Sequence, residues 1–184
     1  MSTRSTIAFE NKDGTIRAVY CHWNGSPEDN GRTLLDGYTS RAKTAKLIDG
    51  GAISVLDVNV EYDPKGGVYY DWGDIRGNSP ALKPANGKHN FEHRQVGATL
   101  YYVRDRGDTD GIAPMEFKNF KEFSKSKYLE EWVYLRRADG KWWFRGHEVR
   151  NFTRLTPAAI KKHSAYVDAE LEKWAKEEQS LKAS

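Results

Sequence analysis

The chain has 184 residues, of which 38% are hydrophobic and 30% are charged, and this length suits one domain with its own core. Its net charge of +3 mixes 29 basic with 26 acidic residues, so charge alone excludes neither nucleic acid nor an acidic protein as a partner. One cysteine excludes an intramolecular disulfide, and no apolar run approaches the ~20 residues of a membrane span. The first residues also lack a signal-peptide apolar region. We therefore expect a cytoplasmic protein with no membrane partner.

The N-terminal 23 residues predict a β-hairpin. Hydrophobic residues alternate in "STIAFE" and "TIRAVYCHW", and Asp13-Gly14 between them suits a tight turn. In a strand, Cys21 and Trp23 share one face and His22 takes the other. Cys21 and His22 therefore cannot form an adjacent nucleophile–base pair, and we predict that Cys21 and Trp23 belong to the core.

Two short helices should follow this hairpin. In "SPEDNGRTLLDGY", Ser26 suits the N-cap and Pro27 the first helical position. In "SRAKTAKLID", Ser40 suits the N-cap, and Gly50-Gly51 ends the helix.

Residues 57–94 differ from the rest, because they are rich in Gly, Pro, Asn and Asp. We predict a long loop-rich insertion, a kind of segment that is usually functional. Its aromatic residues Tyr69, Tyr70 and Trp72 are candidate binding residues, since tyrosine and tryptophan make good interface anchors.

One histidine pair in the insertion has the spacing of a helical zinc site. His89 and His93 lie four residues apart, but they follow Pro84 and Asn86-Gly87, which predict a loop. No third ligand is near in sequence, so we predict no metal and no cofactor.

The second half predicts a strand in "GATLYYVRDRGD", a short helix in "NFKEFSKS" and a hairpin in "YLEEWVYLRRADGKWWFRG". A long amphipathic helix begins at Pro157 after the capping residue Thr156, with apolar positions three and four residues apart. This order of elements predicts an α+β fold, with an antiparallel sheet built from hairpins and helices packed on one face. We expect one domain over residues 1–155, with the C-terminal helix, residues 156–184, packing on it or extending from it.

Two charged or polar groups stand where strands end. His22 precedes a turn, and Arg104, Asp105 and Arg106 cluster in a loop. Arginine forks suit phosphate or carboxylate, and a carboxylate or imidazole suits general acid–base work. The alternatives are a capping histidine and cross-strand ion pairs, and the sequence leaves both open.

A third stretch, residues 136–150, interleaves basic and aromatic residues, as single-strand nucleic-acid binders do. The alternative is an amphipathic hairpin with Trp142 and Phe144 on one face and Trp143 on the other.

The blocks "STRSTIAFENKDGTIRAVYCHWNG", "LIDGGAISVL", "YVRDRGD" and "DGKWWF" resemble a family of small proteins of tailed phages and prophage-like elements. The resemblance covers residues 2–56 and 98–145, and the family has no established activity. Asn24 stands where the family has Asp, which removes a carboxylate. The family motif falls on Thr3, Arg4, Tyr20, His22, Gly25, Arg104, Asp105 and Gly107. The resemblance implies a phage origin and action in the host cytoplasm.

We therefore favour a non-enzymatic, non-virion accessory protein that binds a host or phage macromolecule, first of all a protein, and modulates host defence or metabolism. One alternative is a small enzyme or ligand-binding protein for a nucleotide or other phosphorylated compound, with His22 and Asp105 as candidate catalytic residues. Another is single-stranded nucleic-acid binding. The candidate binding residues are Arg4, His22, Arg104, Arg106, Tyr69, Tyr70 and Trp72.

Overall fold

The structure, a computed structural model, describes residues 3–61, 69–71, 93–95, 97–108, 113–146 and 149–182. Within these ranges the strands are β1 (Ser5–Glu10), β2 (Ile16–Cys21), β3 (Ile53–Val55), β4 (Tyr69–Asp71), β5 (His93–Gln95), β6 (Leu100–Tyr101), β7 (Met115–Phe117), β8 (Trp132–Arg136), β9 (Trp142–Arg145) and β10 (Thr153–Arg154). The helices are α1 (Arg32–Gly37), α2 (Arg41–Asp49), α3 (Phe120–Ser124) and α4 (Pro157–Lys182). Two π-helical turns, Pro27–Gly31 and Tyr102–Arg106, precede α1 and follow β6.

One mixed sheet organises the described residues. Its strand order is β10-β9-β8-β1-β2-β3-β6, with β7 also paired to β2, while β4 and β5 form a separate antiparallel pair. Both predicted hairpins are confirmed, because β1 pairs antiparallel with β2 and β8 with β9. Their turns contain Gly14 at φ 87° and Gly140 at φ 83°, a left-handed conformation that favours glycine.

The α+β class is confirmed, but the sheet is mixed and not antiparallel as predicted, because two of its strand pairs are parallel. β1 pairs parallel with β8, and β2 pairs parallel with β3. Between β2 and β3 the chain runs through α1 and α2, and such a helical crossover returns it to the same end of the sheet. The hydrophobic alternation within each strand contains no information on these long-range pairings.

The sheet is buried on both faces. The helix-side core combines Ile7, Phe9, Val19 and Cys21 of the first hairpin with residues of α1, α2 and α4. The far-side core consists of Ala8, Ile16, Ala18, Phe117, Phe123, Val133 and Leu135. The expectation of helices on one face therefore holds for α1, α2 and α4, whereas the short α3 packs on the far side through Phe123.

The helix starts follow the predicted capping chemistry. The Ser26 hydroxyl accepts the Asp29 backbone N–H, and the Ser40 hydroxyl accepts that of Lys43. Gly51, at φ 78°, follows the end of α2, as the sequence predicts. The Thr156 hydroxyl accepts the Ala159 N–H at the start of α4.

Among the described residues, the first turns of helix α4 are the part that packs into the core. Ile160 and His163 are buried, and the His163 Nδ1 lies 2.7 Å from the Glu28 Oε1 while its ring meets Trp132 edge-on. Farther along the same apolar stripe, Leu171 is 55% exposed and Trp174 is 62% exposed. The predicted stripe thus serves the core only near the N-terminus of the helix. Among the helices of the described ranges, none is long and apolar enough to cross a membrane.

Candidate functional site

The Cys21 thiol is a core group. Cys21 is fully buried, and the Asn30 side-chain amide donates to its Sγ at 3.3 Å. Burial raises the pKa of Cys21 to about 11, so the thiol is protonated and poorly nucleophilic at neutral pH. Its predicted place in the core is confirmed. Trp23, predicted to share it, is only half-buried, because β2 ends at Cys21 and strand alternation no longer orients the following residues.

A polar cluster at the end of β2 joins two of the predicted site residues. The Tyr20 hydroxyl is hydrogen-bonded to the His22 Nδ1, and the Tyr20 ring lies 6.3 Å from that of Tyr102. Burial raises the pKa of Tyr20, and the positive charge of the nearby Arg4 opposes that rise. Arg4 and His22 are therefore brought together through Tyr20.

Arg104 and Asp105 make a closed structural pair. The Asp105 carboxylate accepts the Tyr101 backbone N–H at 2.7 Å and two hydrogen bonds from Arg104. The other three N–H groups of Arg104 donate to the Thr99 and Val60 carbonyls and to Glu61. A guanidinium has five donors in all, so every one is engaged. These contacts favour a structural role over the predicted ligand-binding and catalytic roles.

The sheet also separates this pair from His22. The Arg104 guanidinium lies over the Tyr101 ring, which belongs to the helix-side core. Tyr20, the partner of His22, lies two residues after Ala18 and four after Ile16 in β2. Residues at this spacing share one face of a strand, so Tyr20 faces the far side. This placement argues against one reaction site shared by His22 and Asp105.

The remaining candidates lie partly outside the described residues. Trp72 lies outside them altogether. Tyr69 and Tyr70 are described only as backbone of β4, and Arg106 only as backbone of its turn. Across the described ranges, no group of three or more His, Cys, Asp or Glu could hold a metal ion.

One concave site of the described structure lies on the far side of the sheet. Its volume is about 510 Å³, and we call it the arginine cleft. β9 supplies two residues that alternate away from the helix-side core, α3 supplies two, and the segment before β10 supplies three. The described lining residues are Phe120, Ser124, Arg137, Trp143, Arg145, Arg150, Asn151 and Phe152.

The charge of the arginine cleft is one-sided, since its described lining has three arginines and no carboxylate. Arg145 is half-buried, and its Nη1 donates to the Ser124 carbonyl at 2.9 Å. Burial lowers the pKa of Arg145, but a guanidinium stays charged at neutral pH. Arg137 is paired with Glu10 through its Nε. Arg150 is exposed and forms no hydrogen bond or ion pair with any residue that the structure describes.

The rings of the cleft are covered by arginines of this same chain. The Arg137 guanidinium lies 4.7 Å from the centroid of Phe120, and that of Arg145 lies 5.1 Å from that of Phe152. Phe120 and Phe152 also contact each other edge-on, with centroids 5.4 Å apart. The rings therefore serve as a platform that positions the cations.

Four of the lining residues come from the basic and aromatic stretch that the sequence analysis singled out, residues 136–150. The other four, Phe120, Ser124, Asn151 and Phe152, were missed as site residues. Their own neighbourhoods in sequence are an ordinary short helix and an ordinary loop. Only the packing of α3 against the turn before β10 brings them to β9.

The fold and this site define an α+β protein with a cationic cleft on the helix-poor face of its sheet. Comparison with protein-family models, with curated proteins and with solved structures found no match for the chain. The resemblance to small phage proteins therefore stays a prediction from the motifs.

Proposed function

We propose that this protein is a non-catalytic binding protein whose macromolecular ligand is single-stranded nucleic acid, held at the arginine cleft. One observation carries the proposal: three arginines line the cleft, and no described lining residue is a carboxylate. A site with this charge balance suits a polyanion, and guanidinium forks match phosphate geometry.

The state of the arginines supports a phosphate ligand. Arg150 donates no hydrogen bond to any described residue, so its donors can bind a ligand. Arg145 is half-buried, and its one hydrogen-bond partner among the described residues is the Ser124 carbonyl. A partly desolvated cation without a counter-charge gains more from an incoming anion than a fully solvated one does. A phosphate bound between Arg145 and Arg150 would supply the counter-charge that the half-buried Arg145 guanidinium lacks among the described residues.

The size of the cleft favours one strand over a duplex. A volume of about 510 Å³ lies within the range of ordinary ligand sites, which admits a short segment of a single strand. A duplex could touch only the rim of such a cleft. The broader role of a phage-encoded accessory protein in the host cytoplasm is part of the proposal and rests on the sequence resemblance.

The composition of the lining favours binding over catalysis. Its described residues include no histidine, cysteine, aspartate or glutamate, the residue types that most often act as a nucleophile or a general base. An enzyme acting on a nucleotide would need such a group in the cleft. The polar cluster of Tyr20 and His22 lies at the end of β2, which β8 and β1 separate from β9 in the sheet order.

Fluorescence anisotropy with labelled 12-nucleotide DNA and RNA strands tests the proposal. Arg150→Gln should weaken binding about fivefold and reduce the slope of log K against log salt by ~0.7, the value for one lost phosphate contact on a single strand. Arg32→Gln is the matched control, because Arg32 is also exposed but lies on α1 at the other face. Equal losses in both variants, or no binding at low salt, would contradict the proposal.

A further inference from the structure

We propose that the arginine cleft recognises the sugar–phosphate backbone alone, so that binding is independent of the bases. This inference rests on the proposed function and specifies its ligand chemistry. It departs from the expectation that the aromatic residues of this stretch stack on bases.

The position of the arginines carries the inference. Each of the three rings that line the cleft has an arginine over it: Arg137 over Phe120, Arg145 over Phe152, and Arg154 over Trp143. Stacking a base requires an open ring face, and such stacking contributes on the order of 1–3 kcal/mol per base where it occurs. Here an arginine of this chain occupies one face of each ring.

The three rings also have neighbours in this chain other than arginines. Phe152 contacts Phe120 with centroids 5.4 Å apart and the fully buried Phe123 with centroids 6.0 Å apart. Trp143 sits on the sheet, where it pairs with Leu135 of β8 on one side and Arg154 of β10 on the other. A base approaching the covered face of any of these rings would have to displace an arginine.

The covering arginines are held in place by hydrogen bonds. Arg145 donates to the Ser124 carbonyl, and Arg137 donates to the Glu10 carboxylate. Displacing either would break a hydrogen bond and a cation–π contact together. An anion needs no such displacement, because it approaches the outward N–H groups of guanidiniums that stay where they are.

Binding of three 12-nucleotide strands tests this inference: oligo-dA, oligo-dT and an abasic strand with the same number of phosphates. We expect their dissociation constants to agree within about threefold, with equal salt slopes, because stacking would separate them by tenfold or more. A tenfold loss with the abasic strand would overturn this inference and leave the proposed function intact. Failure of all three strands to bind would overturn both.

A variant tests the cause. Arg154 lies on the exposed edge strand β10, so Arg154→Gln should uncover the Trp143 face without disturbing the core. In this variant we expect oligo-dA to bind at least about fivefold more tightly than the abasic strand, with quenching of tryptophan fluorescence. Arg150→Gln is the control, since it should weaken all three strands equally. An unchanged ratio in Arg154→Gln would overturn the role given to Arg154.

Discussion

Arg104 and Arg150 belong to two arginine-rich stretches that look equivalent in sequence and differ in structure. All five donors of Arg104 are engaged by carboxylates and carbonyls of its own domain. Arg150 forms no such bond with any described residue and borders a cleft whose described lining has no carboxylate. The number of arginines in a stretch therefore does not identify a binding site. What matters is whether the surrounding fold has already neutralised the cations.

The largest expected effect is a loss of stability when the Arg104–Asp105 pair is broken. Asp105→Ala leaves the Arg104 guanidinium and the buried Tyr101 N–H without their carboxylate, so we expect the free energy of unfolding to fall by about 3 kcal/mol. Urea denaturation measures this loss. Nucleic-acid affinity of the folded fraction should not change. A stable Asp105→Ala variant with weakened binding would instead place Asp105 in the ligand site and remove the contrast.

Removing a cation of the arginine cleft tests its role in binding. Arg145→Gln should weaken single-strand binding about tenfold, because Arg145 is the partly desolvated cation of the cleft. Its stability should fall by about 1 kcal/mol, since one hydrogen bond to the Ser124 carbonyl is lost. Anisotropy titration and urea denaturation of the same preparation separate the two effects. A loss of stability as large as that of Asp105→Ala would show that Arg145 is also a structural residue.

The hydrogen-bonded pair of Glu28 and His163 predicts how stability depends on pH. Burial of Glu28 would raise its pKa, but the hydrogen bond with His163, together with the charge of His163 and further hydrogen bonds, outweighs burial and lowers it. A depressed carboxylate pKa adds stability that is present above its ordinary value of 4.5 and is lost as the pH falls through the folded-state value. We therefore expect Glu28→Gln to flatten the fall in stability between about pH 5 and pH 3. Thermal unfolding across this range measures the slope, and a slope identical to that of the natural chain would refute the assignment.

The smallest effect is expected at the exposed part of α4. Leu171→Ala should change the free energy of unfolding by less than about 0.5 kcal/mol, because Leu171 is 55% exposed. Ile160→Ala, eleven residues earlier on the same stripe, should cost about 3 kcal/mol because Ile160 is fully packed in the helix-side core. Equal losses would mean that the far end of the helix is anchored as firmly as its start.

The sequence predicted those features that depend on neighbours along the chain. Both hairpins, their Asp-Gly turns and the caps at Ser26, Ser40 and Thr156 follow from short-range rules and were found. The strand predicted through "YYVRDR" was wrong, because β6 ends at Tyr101. The Asp105 carboxylate binds the Tyr101 N–H across the π-helical turn that follows, which competes with extension of the strand.

The candidate site was only partly predictable for a related reason. Residues 136–150 carried the right composition, and alternation correctly separated Trp143 from Trp142 and Phe144. The contribution of α3 to the cleft depends on which face of the sheet that helix covers, and one sequence does not contain this information. The engaged state of Arg104 likewise depends on Glu61 and Val60, more than forty residues away.

Strand β10 has a consequence for how copies of this chain meet one another. It is two residues long, exposed, and ends the sheet beside the cleft. An open sheet edge can recruit a strand from another molecule, and short length and positive charge oppose that recruitment. Arg154 supplies this charge at the same place where it covers Trp143. The residue that keeps the tryptophan from stacking with bases therefore also protects the sheet from edge-to-edge aggregation.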